Sequence, residues 1–188
     1  MAGLETTATL DFETDEFVIH TPNKKATKAW PGTLGQHATH ALVFARCIVG
    51  ENDYGVQPFM VQIRSTKDHS QLDGVQCGDM GNKIGYQSMD NGWLRFAHKR
   101  IPRVDMLGRF VNIEKDGTFE LKGDPRLIYQ IMVQTRMMII FGAGFTLMRS
   151  LIVAVRYAAC RRQFATIKGS RQERQLIDYQ AHMAILGT

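Results

Sequence analysis

The segment MMIIFGAGFTLMRSLIVAV, residues Met137–Val155, decides the fold class, because it forms the apolar centre of a long helical pattern. The helix predicted around it begins at Asp124-Pro125, where a carboxylate can cap the first turn and proline suits the first helical position. No further proline follows, so the helix can continue to about Arg162. At 1.5 Å per residue it would be roughly 55 Å long, which is typical of a helical bundle.

The same apolar run has nearly the length of a membrane span, so a transmembrane helix is the alternative. Arg149 interrupts the run, and an arginine at that depth costs about 2.5 to 3.5 kcal/mol on insertion scales. Gly142, Gly144 and Ser150 are small residues of the kind found where helices pack closely. These residues favour a buried bundle helix. A second helix, predicted from about Arg171, is too short to cover the first, so we expect further sequence or another subunit to complete the bundle.

The residues before Asp124 predict short strands separated by turns. The predicted strands are Thr6–Leu10, Phe17–Thr21, Ala41–Val49, Pro58–Arg64, Trp93–His98, Phe110–Glu114 and Thr118–Leu121. Asp116-Gly117, between the last two, is the strongest short hairpin signal. Many short strands with frequent turns predict an antiparallel β-barrel or sandwich. We therefore expect an α+β fold, with a β domain over residues 1–124 and the start of a helical bundle over residues 125–188.

The composition is that of a packed globular protein. The chain has 188 residues, of which 44% are hydrophobic, and a formal net charge of +5. Its Lys and Arg are scattered, which favours a solvated basic surface over nucleic-acid binding. The three cysteines lack metal-ligand or redox spacing, so free thiols are expected. No metal site is predicted, because no thiol or carboxylate cluster accompanies the histidines. The sequence also lacks a nucleophile elbow, a phosphate loop and a dinucleotide fingerprint.

The loop Lys28-Ala29-Trp30-Pro31-Gly32-Thr33-Leu34-Gly35 places a large aromatic side chain beside a Pro-Gly turn. On its own it predicts a turn under which Trp30 packs. It also closely resembles the flavin-facing loop of the acyl-CoA oxidases. The resemblance implies that Trp30, Pro31 and Gly32 contact FAD, with Trp30 beside the flavin ring and Gly32 over its reactive edge. The related dehydrogenases usually carry a hydroxyl residue there, whereas glycine leaves space that suits reoxidation by dioxygen.

Five further segments resemble acyl-CoA oxidases in the same order along the chain, a series that is hard to produce by chance. They are Gly3–Thr9, Phe17–Pro22, Asp90–Gly92, Arg100–Arg103 and Arg156–Gln163. Because enzymes of this family are much longer, the resemblance implies a fragment. The upstream flavin strand and the catalytic glutamate of the family are expected outside residues 1–188. We therefore expect the fragment alone to be inactive.

The end of the predicted helix resembles the element through which one subunit of this superfamily reaches the FAD of its neighbour. The element is Arg161-Arg162-Gln163-Phe164, and Gln175 matches a glutamine on the adenine side. The resemblance implies that Arg161 holds the pyrophosphate, which a guanidinium can do with two hydrogen bonds, and that Phe164 packs on the cofactor. The alternative is that Arg161 only neutralises the helix terminus. Ala165 stands where the family usually has glycine, which leaves the path of the loop open.

Three residues near the start of the helix are candidates for the acyl-CoA cleft. Arg136 matches a family arginine near that cleft, and Met132 and Tyr129 lie about one and two turns before it, respectively, on a similar face. The alternative is that Tyr129 and Met132 are core residues and that Arg136 forms a structural ion pair. The sequence favours neither interpretation.

The resemblance implies that the parent enzyme oxidises acyl-CoA to trans-2-enoyl-CoA on FAD and passes the electrons to dioxygen, giving hydrogen peroxide. It also implies a homodimer with a shared FAD site and a peroxisomal location. Two alternatives stay open. One is an acyl-CoA dehydrogenase that uses another electron acceptor, and the other is a non-catalytic β domain that binds a partner.

Overall fold

The structure is a computed structural model that describes residues 3–124, 128–167 and 169–187. The chain divides into two compact units, Met1–Pro125 and Arg126–Thr188. Strands dominate the first unit and a long helix dominates the second, so the α+β class predicted from the sequence is confirmed.

The first unit is built from three β-sheets. Its strands are β1 (Thr7–Asp11), β2 (Glu16–His20), β3 (Lys28–Ala29), β4 (His40–Val49), β5 (Asn52–Gln62), β6 (Val75–Asp79), β7 (Gly92–Phe96), β8 (Lys99–Pro102), β9 (Val111–Ile113) and β10 (Phe119–Leu121). The largest sheet has the order β5-β4-β1-β2-β8, the second has the order β3-β7-β6, and β9 pairs with β10 across the predicted Asp-Gly turn. The backbone N–H of Thr21 donates to the carbonyl of Phe96 at 2.9 Å, which joins the first two sheets.

Two details of the β domain differ from the sequence prediction. β1 and β4 are parallel, with Ala8 opposite Cys47, so the main sheet is mixed, and the sheets of the described residues form no closed barrel. β5 begins at Asn52, in the loop expected between the predicted strands Ala41–Val49 and Pro58–Arg64. Arg46 of β4 forms an ion pair with Asp53 of β5 there and extends the hairpin. The turn is thereby shortened to Gly50 and Glu51, and Gly50 has a φ of 60°.

The core of the first unit comes from strict alternation along the strands. In β4, the side chains of Val43, Ala45 and Cys47 are buried and alternate with partly exposed ones. The rings of Phe17 and Phe59 meet edge to face, with centroids 5.0 Å apart. Burying each large apolar side chain contributes about 1.5 to 3 kcal/mol, so these strands form a core without help from the second unit.

The second unit consists of α1 (Ile128–Cys160), β11 (Arg162–Ala165), β12 (Glu173–Gln175) and the short helix α2 (Gln180–Leu186). The predicted start at Asp124-Pro125 reaches into residues that lie outside the described ones. The prediction of a helix from Arg171 is wrong. A hairpin forms instead, in which Arg162 pairs with Gln175 and Ala165 with Glu173 in antiparallel fashion. The next α-helix begins only at Gln180.

α1 has 33 residues and is apolar around its whole circumference. Its side chains are largely exposed within the second unit, with Met138 and Ile140 each 70% exposed. Among the helices that the structure describes, this one is long and apolar enough over Met132–Cys160 to cross a membrane, by length and composition alone. Exposed apolar surface of this extent marks a surface that is covered in use.

Candidate functional site

The Trp30–Gly35 loop leaves β3 and runs beside the Asp90–Gly92 segment. The backbone N–H of Trp30 donates to the carbonyl of Gly92 at 2.9 Å, and the N–H of Gly92 donates to the carbonyl of Pro31 at 3.1 Å. Asn91, which is 5% exposed, donates its side-chain amide to the carbonyl of Trp30 at 2.6 Å. The backbone around Trp30 is therefore fixed by the neighbouring segment.

The side chain of Trp30 faces outward, since it is 53% exposed within the first unit. The prediction that it packs under the loop is wrong. Its backbone has a φ of 91°, a left-handed conformation that costs about 1 to 3 kcal/mol for a bulky residue. The hydrogen bonds from Asn91 and Gly92 hold this conformation, and the indole is left available to a ligand.

Gly32 differs from the other glycine of the loop in what surrounds it. The φ of Gly32 does not lie in the left-handed range, and the three atoms nearest to a Cβ placed there all belong to the Met89 side chain, with the sulfur at 2.9 Å. The end of a methionine side chain can move. A Cβ on Gly35 would instead lie 3.0 Å from backbone atoms of both Asp79 and Asp90. Gly35 is thus required by close packing, whereas a side chain at Gly32 would need only the end of Met89 to move aside.

A cavity of about 270 Å³ lies beside Pro31 and Gly32 and is also lined by Lys28. The Lys28 ammonium donates to the carbonyl of Phe44 at 2.7 Å. Burial lowers the pKa of Lys28 to about 8, because an ammonium is poorly solvated in this position. The cavity is mainly apolar, with one cation at the start of the loop.

Asp90 anchors the other end of the loop. Its Oδ2 accepts hydrogen bonds from the backbone N–H groups of Gln36 at 2.8 Å and His37 at 3.1 Å, and His37 Nδ1 lies 3.0 Å away. The His37 side chain, followed by these N–H groups, holds the pKa of Asp90 well below its ordinary value. An ionised carboxylate with this set of donors acts as an anchor and not as an acid.

In the second unit, the β11–β12 hairpin brings three of the predicted cofactor residues together. Arg161 follows the last residue of α1, and its exposed guanidinium has no hydrogen bond or ion pair to the described residues. Phe164 is 69% exposed and has a φ of 61°, which is rare for a bulky residue. The amide nitrogen of Gln175 donates to the carbonyl of Ala159 at 2.7 Å, and the N–H of Leu176 donates to the carbonyl of Arg161 at 2.9 Å.

The three predicted substrate residues lie on α1. Met132 is 39% exposed and the side chain of Arg136 is also exposed. The backbone of Tyr129 is helical, but its side chain lies outside the described residues. The exposure of Met132 does not match an ordinary core residue within this unit. Whether these residues contact a substrate stays a prediction.

Sequence reasoning named the Asp90–Gly92 segment, Lys28 and Arg64 only as parts of longer stretches and gave none of them a role in the site. Their hydrogen bonds cross 16 to 61 residues of separation and leave no spacing signal in the sequence. In the part of the chain that the structure describes, no group of three His, Cys, Asp or Glu is placed to hold a metal ion.

Comparisons with known proteins give one consistent family. Residues 129–187 match the family model described as acyl-CoA oxidase, C-alpha1 domain. The chain is 49% identical over 182 residues to peroxisomal acyl-coenzyme A oxidase 1 of Arabidopsis thaliana, covering 95% of this chain and 27% of that protein. It is 43% identical to peroxisomal acyl-coenzyme A oxidase 2 of Mus musculus, covering 96% of this chain and 26% of that protein.

Solved structures agree with these sequence matches. The structure of Arabidopsis thaliana acyl-CoA oxidase 1 matches with a TM-score of 0.88 and 49% identity, covering 96% of this chain and 28% of that one. Acyl-CoA oxidase-2 of Caenorhabditis elegans, solved with FAD, ascaroside-CoA and ATP, matches with a TM-score of 0.89 and 39% identity over 98% of this chain and 28% of that one. The chain thus spans about a quarter of the length of these relatives.

Proposed function

Because the chain belongs to the acyl-CoA oxidase family, we propose that it forms part of a longer FAD-dependent oxidase that acts on acyl-CoA. Residues 1–124 supply its central β domain and residues 125–188 the start of its carboxyl-terminal helical region. The enzyme converts acyl-CoA to trans-2-enoyl-CoA and reduces dioxygen to hydrogen peroxide. The observation that carries the proposal is that both units align with the same oxidases in a single match. The names of these relatives support a peroxisomal location. A role in fatty acid β-oxidation is proposed with it.

FAD is the cofactor that the family implies, and the loop of the first unit fits it. Trp30 offers an exposed aromatic face, and Gly32 borders a space without a fixed obstacle. Trp30, Pro31 and Gly32 would hold the flavin ring. FAD, when bound, supplies the hydride acceptor for the substrate and the electrons for dioxygen. The residues of this chain would orient the ring, and Gly32, which borders the cavity, would leave the edge of the ring open to dioxygen.

The β11–β12 hairpin fits the phosphate and adenine parts of the same cofactor. Arg161 offers a guanidinium without a partner among the described residues, and the strained, exposed Phe164 is positioned to pack on a ligand. Gln175 uses its amide nitrogen on Ala159 and keeps its side-chain oxygen for a ligand. We assign these residues to the FAD of a second subunit, in a homodimer with shared cofactor sites.

The apolar surface of α1 is proposed to pack against other helices of the protein and not against lipid. The family model that covers residues 129–187 describes a domain of acyl-CoA oxidases, which supports this assignment. Arg149 lies in the middle of the apolar stretch, where a charge is costly in a membrane. Tyr129, Met132 and Arg136 of the same helix are proposed to line the acyl-CoA cleft. Binding and orientation are the roles proposed for these residues.

The test uses the longer oxidase that contains this chain. We expect purified protein to carry FAD and to release hydrogen peroxide when acyl-CoA is added under air. Turnover that requires an added electron acceptor would support a dehydrogenase instead. Protein that binds no flavin would support a non-catalytic β domain.

A paired substitution tests the flavin loop itself. Trp30→Ala should alter the visible absorption and circular dichroism spectra of the bound flavin. Phe12→Ala is the control, because Phe12 is a comparably exposed aromatic residue, 48% exposed, in the turn between β1 and β2. Equal spectra for both variants and the wild type would contradict the assignment of Trp30.

A further inference from the structure

Arg64 is a buried cation just after the end of β5. It is 4% exposed. No ion pair among the described residues includes it. Burying an unpaired charge is strongly unfavourable unless hydrogen bonds replace its hydration. The position of Arg64 therefore depends on the groups that its guanidinium contacts.

Those groups are three carbonyl oxygens, two at the end of the Trp30–Gly35 loop and one shortly after it. Nη2 of Arg64 donates to Leu34 at 3.0 Å and to Gly35 at 2.8 Å. Nη1 donates to Ala38 at 2.8 Å. A planar guanidinium can reach several carbonyls at fixed angles, which a lysine ammonium cannot do.

The backbone of Arg64 is itself held in place. Its backbone N–H donates to the carbonyl of Thr39 at 3.1 Å, and it forms an antiparallel bridge with Gln71. The side chain of Gln71 bonds both the carbonyl and the N–H of Cys77 in β6, at 2.7 and 3.2 Å. The guanidinium thus extends from a fixed point of the sheet to the loop.

The loop needs such support because it turns sharply after Gly32. Thr33 has a φ of 63°, and its carbonyl accepts the N–H groups of His37 at 3.1 Å and Ala38 at 2.7 Å. Asp90 binds N–H groups of this turn, and Arg64 binds its carbonyls. The turn is thereby held between an anion and a cation.

We propose that Arg64 is a positioning residue for the flavin-facing loop, fixing the turn after Gly32 so that Trp30 and Gly32 keep the conformation that meets FAD. This inference rests on the proposed function of the loop. Arg64 acts through the backbone of Leu34, Gly35 and Ala38.

The first experiment needs no flavin. Hydrogen–deuterium exchange is measured on the 188-residue chain as wild type, Arg64→Lys and Arg64→Met. The control is Arg103→Met, since Arg103 is a partly buried arginine that donates to the carbonyl of Ile113 at 2.8 Å, outside the loop. Exchange in peptides covering residues 33–38 should rise by about tenfold or more in Arg64→Met, because losing a charge-assisted hydrogen bond corresponds to a factor of that size.

The lysine variant should fall between the methionine variant and the wild type, and peptides of β4 should exchange as in the wild type. The proposal is overturned if Arg64→Met leaves residues 33–38 unchanged. It is also overturned if Arg103→Met raises their exchange equally, because the effect would then be general destabilisation.

The second experiment uses the longer oxidase with its flavin. Arg64→Met should alter the circular dichroism of the bound flavin and lower kcat more than it raises KM, and Arg64→Lys should restore part of both. Unchanged flavin spectra and kcat would overturn the link to FAD even if exchange is faster. A wild-type enzyme without flavin would instead refute the proposed function, and the exchange experiment alone would then decide whether Arg64 holds the turn.

Discussion

Lys28 offers a test of the loop that depends on pH. Its ammonium lies beside the cavity at Pro31 and Gly32 and donates to the carbonyl of Phe44 at 2.7 Å. Burial lowers its pKa from the ordinary value of 10.5 to about 8. Lys28→Met removes the titrating group, and Lys28→Arg keeps a charge that does not titrate in this range.

The sign follows from the proton balance. The folded protein binds the Lys28 proton more weakly than the unfolded chain, so the unfolded chain carries more protons between pH 8 and 10.5. Stability contributed by Lys28 therefore rises with pH across that window. At about 1.4 kcal/mol per pKa unit, the whole pKa difference corresponds to about 3 kcal/mol. Between pH 7 and about 9.5, the wild type should gain about 2 kcal/mol relative to either variant.

Urea unfolding followed by tryptophan fluorescence measures this difference. Both tryptophans of the chain, Trp30 and Trp93, belong to the first unit, so the signal reports the β domain. At pH 7 the methionine variant should be at least as stable as the wild type, because replacing a buried charge by an apolar group is often neutral or stabilising. If the stabilities of the three proteins change in parallel between the two pH values, Lys28 is not a desolvated cation and the reasoning fails.

Three further outcomes are expected. In the longer oxidase, Gly32→Thr should slow flavin reoxidation by dioxygen and largely spare reduction by substrate. Gly32→Ala should fold normally, since the three atoms nearest to its Cβ belong to the flexible side chain of Met89. Stopped-flow traces with equal losses in both half-reactions would argue against a role in oxygen access. Arg161→Ala should weaken FAD retention by about tenfold or more, because it removes a charge-assisted hydrogen bond to pyrophosphate. The measurement is the release of flavin, with Arg162→Ala as the control. Unchanged FAD affinity would mean that Arg161 only neutralises the helix end. Asp90 has a lowered pKa, so its contribution to stability is present above the ordinary value of 3.8 and is lost as pH falls below it. Proteolysis of the loop should therefore become faster in acid for the wild type but not for Asp90→Asn. Identical dependence of the proteolysis rate on acid pH in the two proteins would contradict this.

The strands of the first unit could be predicted where side chains alternate between buried and exposed. β4 extends the predicted range Ala41–Val49 by one residue, His40, and the β9–β10 hairpin lies within its predicted ranges. The sequence does not predict β6, because this strand contains Gly78 and two polar residues, Gln76 and Asp79, and has a weak strand pattern. Its glycine is explained only by the fold, since a Cβ at Gly78 would lie 2.9 Å from the indole nitrogen of Trp93.

The hairpin of the second unit was missed for a different reason. Arg174, Gln175 and their neighbours are good helix formers, so local propensity predicted a helix. In the structure, pairing with β11 and the bond from Gln175 to Ala159 stabilise an extended chain instead. Tertiary contacts of this kind cannot be read from propensity.

The candidate flavin loop could be located from its motif, but its supports could not. Arg64 and Asp90 contact the loop from positions far along the chain. Their residue types are ordinary, and neither lies at a spacing that indicates a shared site. What identifies them is that one satisfies the carbonyls and the other the N–H groups of the same turn.

The hairpin and α1 are connected so closely that covering the helix also fixes the candidate cofactor residues. Gln175 bonds Ala159 in the last turn of α1, and Leu176 bonds Arg161 directly after it. A partner that packs on the exposed apolar surface of α1 therefore orders the helix end from which Arg161 projects. Binding of the partner and retention of FAD should then be thermodynamically linked, since each favours the same conformation of the hairpin. Under the proposed function, this linkage would be a physical reason for a cofactor site to lie at the end of a helix whose apolar surface is covered by a second subunit.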